Sequence, residues 1–207
     1  MICPGCKNEI TCSTIEQIAQ RYQCEDCGYI GILEEKKEGI KYPNTNLGFI
    51  LFAIYFVVTI VLVASPSNNP ESALTIFYLF TLGLFVVYLY YIFLFHSILN
   101  DLTDNRYPIS ASRSVWGHFI PIYNIIFIFT WPNAFADYYN ENHRSKRLVK
   151  FAGGLIILVA MIINYTIGFG VLILFGLITY YNIKLKDLVD TEIERLKSLP
   201  LTSVAEI

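Results

Sequence analysis

Three stretches of this chain carry no Asp, Glu, Lys or Arg, and their lengths constrain the fold more than any other feature. Leu47–Ala64 is eighteen residues, Ala73–Leu99 is twenty-seven and Phe151–Tyr181 is thirty-one. A bilayer core of ~30 Å is crossed by roughly 20 apolar residues in a helix. The first two runs therefore read as one span each. Taken as one helix the third would extend about 46 Å, well beyond a bilayer core. Split near Asn164–Gly170 it forms a hairpin, which is preferred because Lys184 and Lys186 then return to the side on which the hairpin began. In a chain of 207 residues that is 55% hydrophobic, with a mean hydropathy of +0.49, these runs predict an all-α integral membrane protein of four transmembrane helices.

A fourth apolar stretch, WGHFIPIYNIIFIFTWP from Trp116 to Pro132, reads differently because prolines bracket it. Pro121 starts a helix afresh, and Pro132 biases Trp131 away from the helical region. Pro121–Trp131 would span about 16 Å, roughly half the hydrocarbon core. Trp116, His118, Tyr123, Asn124 and Trp131 are residue types that sit at headgroup depth. The stretch over 115–132 is expected to be re-entrant or interfacial.

Charge supplies the topology. Lys36, Lys37 and Lys41 precede the first span, and Arg144, Lys146, Arg147 and Lys150 precede the hairpin. By the positive-inside rule both groups face the cytoplasm, which again requires that 115–132 not cross. No signal peptide opens the sequence, and both termini are expected in the cytoplasm with the protein in the inner (plasma) membrane. The net charge of −2 argues against nucleic acid as a partner.

Cys3-Pro-Gly-Cys6 and Cys24-Glu-Asp-Cys27 are two Cys-x-x-Cys pairs separated by seventeen residues, the spacing of a four-cysteine zinc site. A segment this small gains from a metal staple what it lacks in core. Two disulfides are the alternative. Arg21–Gln23 and Tyr29–Leu33 read as short strands, and Cys12 as a buried apolar thiol. Thiolate ligation requires a reducing compartment, in agreement with a cytoplasmic N-terminus. The segment resembles a zinc ribbon of the rubredoxin-knuckle type over about thirty residues, departing from it at Lys7, where glycine more often follows the first pair. The expected metal site is Cys3, Cys6, Cys24 and Cys27 with Zn2+ as cofactor.

The domain plan is then a ribbon over 1–35, a linker over 36–46 and a membrane domain over 47–183. Its spans are 47–65, 73–99, 148–164 and 168–183. An amphipathic cytoplasmic helix follows over 184–200, ended by Pro200. Its apolar face (Leu185, Leu188, Val189, Ile193, Leu196, Leu199) is expected to pack on the membrane domain, with a homo-oligomer seam as the alternative. Asn69-Pro70 has the form of a helix cap and first residue.

Candidate chemistry is sparse. Asp101 and Asp104 end the second span at a spacing that shares a helix face, with Arg106 nearby. Asn100-Asp-Leu-Thr-Asp104 resembles the first Asp-rich motif of the UbiA-type membrane prenyltransferases, which implies Mg2+ held against a lipid diphosphate. The second aspartate motif of that family has only Asp187 and Asp190 to answer it, and a solvated helix end is the plainer reading. No Gly-x-Ser-x-Gly, Walker or His-Glu-x-x-His motif occurs. No span carries a charge, against an ion pathway. Trp116-x4-Pro121-x2-Asn124, set between two helical pairs, resembles a group of small bacterial multi-span membrane proteins of unknown function, some with an N-terminal zinc ribbon; the resemblance implies no activity. The expected function is a non-catalytic multi-pass membrane protein whose ribbon binds a cytoplasmic protein partner. A membrane enzyme on a lipid diphosphate and a small transporter or channel component are the alternatives.

Overall fold

The computed structural model describes residues 1–12, 14–33, 40, 42–64, 70–103, 106–142, 147–167 and 170–201. Asp104, the three linker lysines (Lys36, Lys37 and Lys41), Arg144, Lys146 and Asn69, and Gly168 and Phe169 of the expected hairpin turn, lie outside these residues. The architecture is mostly helical with a small N-terminal sheet. In order it runs α1 (Thr14–Ala19), β1 (Arg21–Gln23), β2 (Ile30–Ile32), α2 (Asn46–Ala64), α3 (Pro70–Leu102), α4 (Ala111–Trp116), α5 (Pro121–Asn142), α6 (Ala152–Ile167) and α7 (Gly170–Ser198).

One helical segment, Thr75–Leu102, is long and apolar enough to cross a membrane among the described residues, with a mean hydropathy of 2.1. Asn46–Val61 and Ala152–Asn164 are shorter apolar segments. Pro70 begins α3, as its fixed φ favours. The long uncharged run does divide into two helices, α6 and α7, which pack along each other. Gly170 makes their closest approach: a Cβ there would lie 1.8 Å from the Ala160 carbonyl oxygen.

The core is aromatic. Phe95, Trp131, Phe135 and Tyr181 meet edge to face or tilted, Phe95 to Phe135 at 4.9 Å and Phe135 to Tyr181 at 5.3 Å between centroids. Such pairs add to the burial term because ring edges meet ring faces. Outward, the same helices present apolar side chains. Val57 and Val61 on α2, Leu79 and Val86 on α3, Ile125 on α5 and Ile162 on α6 are each more than half exposed.

The proline-bracketed stretch corrects three expectations. Helix α5 does not stop before Pro132; it runs unbroken through it for 22 residues. A glycine pair on α6 makes room for the Pro132 ring and its neighbour Phe129. A Cβ on Gly153 would fall 2.6 Å from Pro132 Cβ, and one on Gly154 would fall 2.2 Å from the Phe129 ring. Trp131 is fully buried, and His118 is buried with Nδ1 bonded to the Ser114 carbonyl at 2.8 Å; both are core residues of the bundle. The cause is tertiary: α4 and the turn at Gly117–Ile120 fold back along α3, so that His118 meets Tyr88 at 5.9 Å and Phe119 meets Phe85 at 6.5 Å.

The connection from α5 to α6 is bracketed by side chains. Asn140 receives the Leu148 N–H at 2.7 Å and donates to its carbonyl at 3.0 Å, Asn133 receives the Phe151 N–H at 2.6 Å, and Lys150 pairs with Asp137 at 2.5 Å. These bonds fix α6 antiparallel to α5.

The amphipathic tail is no separate element. It is the second half of α7, continuous with the apolar first half. Leu185, Leu188, Val189 and Leu196 are buried, and the face they form is covered by α1 of the N-terminal segment together with α3 and α5. The ribbon is thereby docked on the bundle. Arg21 donates to the Leu199 carbonyl, and Arg106 reaches both carboxylate oxygens of Glu25 at 3.0 and 3.2 Å.

Candidate metal centre

Each half of the N-terminal segment turns the same way. The Cys3 carbonyl accepts the Lys7 N–H at 2.9 Å and the Cys3 N–H donates to the Asn8 carbonyl at 2.9 Å. The Cys24 carbonyl accepts the Gly28 N–H at 2.9 Å and the Cys24 N–H donates to the Tyr29 carbonyl at 2.8 Å. Two superposable knuckles result. Both require a left-handed residue after the second cysteine, and both have one: Gly28 at φ 72 and Lys7 at φ 62. Lys7, the departure from the ribbon pattern, thus adopts the glycine conformation, at a cost of about 1–2 kcal/mol for an L side chain. Asn8 joins the knuckles by donating to Asp26 at 2.8 Å.

Behind the knuckles β1 and β2 pair antiparallel, with Tyr22 opposite Gly31. The Tyr22 ring lies across Gly31, where a Cβ would come within 2.4 Å of it. With Tyr29 and Leu33 it forms a small core that closes over Cys3 and Cys24. Cys12, expected to be buried, is only half-buried, its Sγ 3.6 Å from Met1 Sδ.

The four sulfurs of Cys3, Cys6, Cys24 and Cys27 lie within 4.8 Å of one another. Sγ of Cys3 is 3.6 Å from that of Cys27, and Sγ of Cys6 is 3.7 Å from that of Cys24. A disulfide would bring two sulfurs to about 2.05 Å, so these are free thiols placed across from each other. A tetrahedron with metal–sulfur bonds of about 2.3 Å has edges of about 3.8 Å, which these separations match. The tetrad can hold a metal ion.

Its electrostatics favour a cation. Burial opposes charge on Cys3, yet the Cys6 and Gly5 amides and the neighbouring thiols of Cys27 and Cys24 outweigh it and draw Cys3 down to about 7. The Tyr29 amide favours a Cys27 thiolate, but burial and the other three sulfurs push that thiol up to about 12. Cys6 is raised too, its Asn8 amide outweighed by burial and by Cys24. A divalent cation is what would let all four thiols ionise together.

The other expected site is only partly within the described residues. Asp101 is exposed in the last turn of α3, Asp104 lies outside the described residues, and Arg106 is turned to Glu25 of the ribbon. The cysteines are the metal-capable cluster found among the described residues. What the sequence did not signal is a buried polar cluster: among the described residues, His96 has no partner at either ring nitrogen, nor have the Tyr107 hydroxyl and the Trp131 indole N–H. The Tyr107 and Trp131 rings lie 5.6 and 5.8 Å from the His96 ring.

Fold and site together define a helical bundle carrying a four-cysteine ribbon docked at one end. Comparison with family models, curated proteins and solved structures found no match to this chain.

Proposed function

We propose that the chain is a non-catalytic, multi-pass protein of the inner (plasma) membrane, with both termini in the cytoplasm, whose zinc ribbon is a recruiting platform for a cytoplasmic protein. On this reading α2, α3, α6 and the first half of α7 cross, and α4–α5 dips in from the cytoplasmic side. The resemblance to the small bacterial multi-span proteins with a Trp-x4-Pro-x2-Asn segment belongs to the same reading.

The observation that carries it is the outward apolar surface of α2, α3, α5 and α6, whose exposed valines, leucines and isoleucines would be poorly tolerated in water. Two further features support it. Lys184 Nζ lies 5.8 Å from the ring centroids of both Tyr139 and Tyr180, the arrangement of a snorkelling lysine at a membrane boundary. At that level Tyr181 meets Phe95; from there to Phe85, which touches the α4–α5 turn, α3 descends about 15 Å, half the hydrocarbon thickness.

The test is accessibility labelling of single cysteines in intact cells, combined with a pulldown from membranes with and without the four ribbon cysteines and a metal assay on the purified protein. The reading requires residues 147–150 and the ribbon to be on the cytoplasmic side, zinc in the protein and a partner lost with the cysteines. Residues 147–150 found outside would overturn it.

A further inference from the structure

Between Arg106 and Asp137 the chain carries one charged side chain, Arg113. It stands exposed on α4, in the hairpin of α4 and α5 that turns back at residues 117–120. Among the described residues no carboxylate pairs with it; its guanidinium meets the Tyr123 hydroxyl on α5, which accepts from Nε at 3.2 Å and from Nη2 at 3.1 Å. Both partners are held from behind. Ser110 caps α4 by accepting the Arg113 N–H at 3.3 Å, and the Tyr123 ring stacks on buried Phe127 at 5.6 Å. A guanidinium has five N–H groups, and with its Nε side turned to Tyr123 the Nη1 and Nη2 end is left as a fork of parallel donors. The phenol, having accepted twice, keeps its own proton to donate.

Depth is a second and independent observation. His118, beyond the end of α4, meets Tyr88 of α3 at 5.9 Å. Tyr88 lies about 10 Å along α3 from Phe95, and Arg113 lies about 7 Å back along α4 from His118, which sets Arg113 about 3 Å deeper than Phe95 and Tyr181. That is the level at which Lys184 marks the membrane boundary. One turn deeper Trp116 is 67% exposed, and Phe119 and Ile120 are exposed beyond it. An ionised side chain at this depth is costly unless paired, and the described residues supply no anion.

We propose that Arg113 and Tyr123 hold the phosphate of an anionic phospholipid in the cytoplasmic leaflet. The proposal rests on the membrane reading above, in which α4–α5 dips in from that side. The fork matches two phosphate oxygens, the phenol reaches one of them, and the acyl chains lie over Trp116 and Phe119. A soluble phosphate would use the fork and leave that apolar shelf uncovered.

The experiment uses the purified full chain in uncharged detergent, with phosphatidic acid as probe, diacylglycerol of the same chains as control and inorganic phosphate as a separate ligand; native mass spectrometry counts what is retained. Phosphatidic acid should be retained and diacylglycerol should not. Arg113→Gln should weaken retention by about tenfold, and Arg113→Lys, a point charge without the fork, by a smaller factor. Tyr123→Phe keeps every charge and the ring stack and should weaken it by a few-fold, which tests the site even where Arg113→Gln fails to fold. Lys184→Gln removes another cation at the same boundary and should leave retention unchanged. Retention that survives both Arg113→Gln and Tyr123→Phe, or falls as far in Lys184→Gln, overturns the proposal. Inorganic phosphate bound as tightly as phosphatidic acid, and lost with Arg113, makes the ligand a free phosphate and overturns the lipid assignment. If residues 147–150 label from the cytoplasm while phosphatidic acid is not retained, this site alone falls; residues 147–150 labelled from outside sink the membrane reading beneath it.

Discussion

The ribbon and the bundle touch, yet they are held together by opposite means. The ribbon buries five side chains, two of them cysteines, around a single cluster of sulfurs. The bundle buries more than thirty, and its centre is a set of interlocking rings. A small segment that places its stability in one coordination site folds or unfolds with that site, whereas a large apolar core spreads the risk.

The sharpest way to break the comparison is to deny the tetrad a metal ion. Structural zinc in small cysteine and histidine sites contributes apparent binding energies of about 10–16 kcal/mol, so chelation or Cys24→Ser should unfold residues 1–33 while leaving the bundle in place. Hydrogen exchange followed by mass spectrometry reads both regions at once; protection lost from α6 and α7 as well would refute their independence. Acid should act in the same direction. The Cys3 thiol is lowered from 9.0 to about 7, so the stability its thiolate contributes is present above pH 9 and lost as pH falls through 7. A titration of bound metal should show affinity falling steadily on acidification through that window.

The converse experiment is Phe95→Ala. It removes a fully buried ring that touches Trp131, Phe135 and Tyr181, and should destabilise the bundle by about 3–5 kcal/mol while bound metal stays at its original stoichiometry. Thermal unfolding in detergent alongside metal analysis checks it. Smaller and opposite in sign, Lys7→Gly relieves a left-handed side chain and should strengthen the ribbon by about 1 kcal/mol, seen as a higher chelator concentration at half-release. The smallest effect belongs to Arg106→Ala. Its bond to Glu25 joins the two regions but is well exposed on both sides, so a loss of no more than about 1 kcal/mol in ribbon docking is expected. Limited proteolysis between the two regions would report a larger effect and expose the bond as the main tether.

The sequence was most readable where the physics is local. Cysteine spacing marks a metal-capable tetrad within a few residues, Pro70 marks a helix start, and Lys184 and Lys186 beyond the uncharged run favoured a chain that turns back. Pro132, Trp131 and His118 were read through local preference or side-chain type, and all three were decided elsewhere: by Gly153 and Gly154 on α6 and by the return of α4 along α3. Likewise nothing near Arg21 announces that it will bind the carbonyl of Leu199, 178 residues away.

Helix α7 is a single rod of 29 residues, about 44 Å long, with one end among the apolar helices and the other beneath the ribbon. A rigid lever of that length converts a few degrees of tilt at one end into a shift of a few ångströms at the other. Any displacement of the apolar end would therefore be magnified beneath the sulfurs.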